Sequence, residues 1–73
     1  MMPDFNAIIE ESEDGWFVGQ LQEMPEVISQ GRTLEELQKN LLDAFKLVIE
    51  SHREKTLKLY EGRKIIKKQF NFA

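Results

Sequence analysis

The run Thr33-Leu34-Glu35-Glu36 commits the middle of this chain to a helix. A Thr at a helix cap accepts a hydrogen bond from the amide three residues on. A Glu at that third position reaches back with its carboxylate, so two of the exposed N–H groups at the helix start are satisfied. Behind the cap, Leu34, Leu37, Leu41, Ala44, Phe45 and Val48 recur at the spacing that gathers apolar residues on one face, and Leu42 and Ile49 widen the stripe. A single amphipathic helix has nothing of its own to bury that stripe against. It requires a second layer, which the rest of the chain must supply.

The flanking segments read as strands. Phe5–Glu10 is mostly apolar, Glu11–Gly15 is polar and ends in the turn pair Asp14-Gly15, and Trp16–Leu21 is apolar again. A five-residue loop setting Glu10 opposite Trp16 gathers Phe5, Ala7, Ile9, Phe17, Gly19 and Leu21 on one face. It leaves Ile8, Trp16 and Val18 on the other. Gln22–Glu26 turns the chain, and Pro25 delays the next strand, because proline has no N–H to give a ladder. Val27–Gln30 is a short third strand closed by Gly31. Lys64–Phe72 reads as a last one, with Ile66, Phe70 and Phe72 on one side.

The end of the helix is less sharply marked. Gly62 suits a position just past a helix, and Arg53, Lys55 and Lys58 suit the negative end of a helix dipole. A helix from Leu34 to Glu61 would run about 42 Å against strands of about 20 Å, so it overhangs the sheet or breaks between Ser51 and Thr56. The expected architecture is one α+β domain over residues 1–73, in two layers of order β-β-β-α-β. It has an antiparallel meander, one helix on one face, and a final strand parallel to the first through a right-handed connection.

Composition narrows the setting. With 73 residues there is room for one thin core, and no Cys is present to staple it, so a reducing, cytoplasmic compartment and self-association are expected. Residues 1–9 lack the pattern of a signal peptide, and no apolar run is long enough for a membrane span. The net charge of −3 conceals an asymmetry. Residues 1–50 hold eleven acidic against three basic groups, and residues 51–73 hold seven basic against two acidic.

The residues Asp14-Gly15-Trp16-Phe17-Val18-Gly19, then Met24-Pro25, then Ser29 through Leu37 resemble the N-terminal domain of HicB-type antitoxins. The resemblance covers roughly residues 5–50 and does not extend to the DNA-binding domain such antitoxins commonly carry. It implies a partial ribonuclease-H-like fold, a HicA-like toxin as partner, and action by masking that partner's surface. Glu26 stands where the family has Gly after the Pro, an apolar Val27 or Ile28 replaces a frequent Cys, and Arg32 stands where Asp is usual.

Reactive chemistry finds little support in the residues. A ribonuclease-H site needs carboxylates on the first strand, the helix and the last strand, converging on two divalent ions. Asp4 and Glu35 or Glu36 are available, but residues 64–72 contain no carboxylate, and Glu36 has a capping role. His52 is the single histidine, too few for an ordinary zinc site without Cys, and it has no thiol or hydroxyl partner in a nucleophile motif. No catalytic residue, metal ligand or cofactor is therefore expected. Two surfaces remain as candidates. One is the apolar face Ile8, Trp16 and Val18, read as an interface through which the chain also pairs with itself. The other is the basic strip Arg63, Lys64, Lys67 and Lys68 beside Phe70 and Phe72, which could hold RNA by phosphate contact and stacking. Alternation along a strand gives that strip a plainer role, with Phe in the core and Lys guarding an edge. The expected function is a noncatalytic protein-binding module, HicB-like antitoxin or relative. RNA binding through the basic strip is the alternative, and a ribonuclease-H-type hydrolase the weakest of the three.

Overall fold

Gly15 adopts φ +85°, the left-handed conformation that closes a three-residue loop of Glu13, Asp14 and Gly15. Around it the Ser12 N–H donates to the Trp16 carbonyl at 2.8 Å and the Gly15 N–H to the Ser12 carbonyl at 3.1 Å. The Ser12 hydroxyl bonds Asp14 Oδ1 and accepts from the Trp16 N–H, which fixes the loop further. This hairpin joins strands β1 (Ala7–Glu11) and β2 (Phe17–Leu21) in the computed structural model, which describes residues 4–71.

The register is Ala7 opposite Leu21, Ile9 opposite Gly19 and Glu11 opposite Phe17. Glu10 faces Val18, not Trp16 as the five-residue loop required, because Glu11 and Ser12 extend the ladder instead of the turn. A shift of two residues leaves side-chain parity unchanged, so the expected faces are preserved. Strand β3 (Ile28–Gly31) pairs antiparallel with β2, giving sheet order β1-β2-β3. Val27 already belongs to this pairing through its carbonyl, which accepts from the Leu21 N–H at 3.0 Å.

Helix α1 (Leu34–Lys58) begins at Thr33, whose Oγ1 accepts from the Glu36 N–H at 3.0 Å. Glu36 reaches back one residue beyond the cap, to the Arg32 N–H at 3.4 Å. The helix packs over β2 and β3, and β1 lies outside its cover. Leu21, Val27, Leu37 and Leu41 are the buried core, bordered by Ala7, Phe17, Met24, Ala44, Phe45 and Val48. Close approach depends on two glycines. A Cβ on Gly31 would stand 2.6 Å from the Leu37 backbone nitrogen, and one on Gly19 3.1 Å from Leu37 Cδ2. Asn40 Nδ2 donates to the Gln30 carbonyl at 2.8 Å, and the Phe5 ring meets Phe45 edge-on at 5.1 Å.

The helix does not break between Ser51 and Thr56. Its 25 residues span about 37 Å, whereas the four residues of β3 span about 13 Å, so its C-terminal half overhangs the sheet. It stops at Lys58, three residues before the expected limit. The N–H groups of Leu59, Tyr60 and Glu61 then bond carbonyls three residues back, a tightening that helix ends commonly show. Gly62, at φ +79°, turns the chain away.

The expected fourth strand is absent among the described residues. Residues 64–71 form no strand and are exposed throughout, so the sheet has three antiparallel strands and no parallel pair. Phe70 is not in the core but 67% exposed, and Phe72 lies outside the described residues. The helix releases the chain beyond the sheet margin, out of line with the edge it was to join.

Candidate functional site

The sheet face away from α1 carries Ile8, Gln20 and Ile28 in one cross-strand row and Glu10, Val18 and Gln30 in the next. Ile8 and Ile28 are each more than half exposed, while Val18, diagonal to both in the next row, is partly covered. Ile8, Glu10, Ser12, Val18, Gln20 and Ile28 line a shallow depression there. Gln20 Nε2 donates to the Pro25 carbonyl at 2.8 Å, which draws its side chain toward the β2–β3 turn. Ile28 was missing from the expected interface. Its place beside Gln20 follows from the β2–β3 register, which spacing along a single strand does not give.

Trp16 sits just ahead of β2, and the Arg32 guanidinium carbon lies 4.2 Å from its ring centroid. That distance is well within cation–π range. The indole is thereby half-buried rather than freely exposed. Arg32 is one of the three departures from the antitoxin pattern, and here it caps the aromatic end of the face. Glu10 stands beside Val18, and Glu13 and Asp14 lie in the hairpin loop next to Trp16, so acidic residues border this end of the face.

The remaining candidates are scattered. Asp4 is exposed, and Glu36 is held at the helix start by the capping contacts. His52 lies within the helix, its Nε2 3.3 Å from Glu26 Oε2, and so ties the start of the overhang to the β2–β3 turn. No group of three His, Cys, Asp or Glu side chains suited to a metal ion occurs among the described residues. Glu23 accepts from the Asn6 N–H at 2.7 Å and from Asn6 Nδ2 at 2.8 Å; the backbone bond above all, and the side-chain bond with it, hold its carboxyl below the usual range. Arg63, Lys64, Lys67 and Lys68 are all exposed; Arg63 lies 5.3 Å over the Tyr60 ring and Lys68 Nζ 5.7 Å from the Phe70 ring. No helix among the described residues is long and apolar enough to cross a membrane.

Fold and surface together define a small α+β protein, a three-stranded meander covered by one long helix. The chain is 34% identical over 47 residues to the UPF0150 protein ssr1258 of Synechocystis sp., a match spanning 64% of this chain and 68% of that one. It belongs to the UPF0150 family. No protein-family model and no solved structure gives a significant match.

Proposed function

We propose that this protein is a noncatalytic binding module, a HicB-like antitoxin or a relative of one, that masks a partner protein with the outer face of its sheet. The observation that carries the reading is the exposed pair Ile8 and Ile28 with Val18 diagonal to both, closed at one end by the Arg32–Trp16 stack. Apolar surface of this kind, rimmed by charge, is typical of interfaces. The rim of Glu10, Glu13 and Asp14 gives the face a sign. It complements a basic, nucleic-acid-handling surface, which is what a toxin acting on RNA presents, and like charge repels other acidic proteins. Binding there blocks the partner's access to nucleic acid by occupying the surface, with no bond made or broken by the module. The cytoplasm, where such a toxin acts, is the compartment this reading requires.

RNA binding through Arg63, Lys64, Lys67 and Lys68 is the second reading, favoured by their exposure beside Tyr60 and Phe70. Affinity capture from the native lysate, with and without ribonuclease, separates the two. The proposal expects a protein recovered equally in both. Recovery of RNA, or of proteins that all disappear with ribonuclease, would overturn it in favour of the basic strip.

A further inference from the structure

We propose that residues 63–71 of one copy form an edge strand on the sheet of a second copy, laid parallel along β1, so that two chains exchange their C-terminal segments. This inference does not depend on which partner covers the outer face.

Among the described residues, strand β1 has β2 as its one neighbour in the sheet. The Asn6 carbonyl bonds the Gln22 N–H and the Ser12 N–H bonds the Trp16 carbonyl, so the even-numbered residues of this strand face β2. By alternation, Ala7, Ile9 and Glu11 direct their N–H and C=O groups away from the sheet. The helix stops short of this edge, and Ile9 on the helix side stays 45% exposed. An open edge with apolar residues on both faces is a template for another strand.

The tail supplies a matching one. Ile65-Ile66-Lys67-Lys68 repeats the order of Ile8-Ile9-Glu10-Glu11 with the charges reversed. Parallel pairing in that register sets isoleucine beside isoleucine and lysine beside glutamate at all four positions. Cross-strand pairs of both kinds stabilise a sheet. Ile66 is 93% exposed within its own chain, so its apolar surface is left for a partner to bury.

The geometry points to a second copy. Within one chain the tail lies along the overhanging end of α1, sharing a groove with Ile49, Arg53, Leu57 and Tyr60, away from β1. The radius of gyration is 16.0 Å, with a long axis of 54 Å. A compact domain of this length has a radius near about 11 Å. Two copies about a two-fold axis would each give one strand and receive one, and the protruding ends would be covered.

Sedimentation equilibrium on the full chain tests this with two charge reversals, Glu10→Lys/Glu11→Lys and Lys67→Glu/Lys68→Glu, each confirmed folded by circular dichroism. Wild type should be dimeric at high micromolar concentration. Each reversal alone should weaken the dimer by about tenfold or more, since like charges then oppose across the pair. Mixing the two in equal amounts should restore it, because acidic tail then meets basic edge and the reverse. Ile66→Pro should also dissociate the dimer, and Trp16→Glu should leave it intact. A monomeric wild type, reversals that stay dimeric, mixing without recovery, or loss of the dimer in Trp16→Glu would each overturn the exchange.

Discussion

The guanidinium of Arg32 lies 4.2 Å over the ring of Trp16, joining the residue before the helix cap to the residue before β2. The contact half-covers an indole that would otherwise stand open at the end of the outer face. Replacing Arg32 with Ala should shift Trp16 fluorescence to longer wavelength and lower stability by about 0.5–1 kcal/mol, the range for exposed cation–π pairs. Unchanged emission would show that the stack is not formed in solution.

The Thr33 cap should be worth about 1 kcal/mol, so Thr33→Ala should lower the melting temperature by roughly 4–8 °C in a domain of this size. Thermal unfolding followed by circular dichroism reads the effect directly. Thr33→Ser keeps the acceptor oxygen and should retain most of the stability.

Gly31 and Gly19 should respond differently to added bulk. At Gly31 the nearest atoms are backbone, with Leu37 N at 2.6 Å, so Gly31→Ala must push the helix off the sheet. A loss of about 1–3 kcal/mol is expected there, the cost of overpacking. At Gly19 the neighbours are the mobile ends of Leu37 and Leu41, so Gly19→Ala should cost less. Denaturant midpoints of the two variants test the order.

Glu23 should titrate below the ordinary glutamate value, because its ionised form accepts two hydrogen bonds from Asn6. A carboxyl lowered by folding stabilises the fold above its unfolded pKa and loses that contribution as pH falls through its folded pKa. The Asn6–Glu23 tie should therefore be intact at neutral pH and weaken only on acidification below the ordinary carboxylate range. NMR titration of the Glu23 side chain measures this lowering directly. In Glu23→Gln that acid-range dependence should be lost.

A binding module should show no nuclease chemistry. With an RNA–DNA hybrid and Mg²⁺ or Mn²⁺, wild type should cleave no faster than Glu36→Gln. Metal-dependent turnover lost in that variant would reinstate the hydrolase reading.

Local rules made much of the fold legible. The cap at Thr33 and Glu36, the leucine spacing behind it and the turn at Gly15 are short-range signals, and each formed near its expected place. The hairpin register was off by two residues, yet the faces survived because strand parity has a period of two. The last strand was not legible in the same way. Alternation in residues 64–72 states that a segment can pair, not which edge receives it, and the length of α1 decides that this segment emerges beyond the sheet. Alternation around the hairpin marks Ile8, Trp16 and Val18 as the outer face. Its completion by Ile28 and Arg32 depended on tertiary neighbours that spacing does not reveal.

The outer face itself is tested most directly by comparing partner capture by wild type, Trp16→Glu and the quadruple Arg63/Lys64/Lys67/Lys68→Glu variant, all shown folded by circular dichroism. A charge placed at the aromatic end of an interface core should reduce recovery of the partner protein by about tenfold or more, as loss of a buried aromatic anchor does. The quadruple variant should capture that protein as wild type does. Full capture by Trp16→Glu, with loss in the quadruple variant, would contradict the account and move the binding surface to the tail.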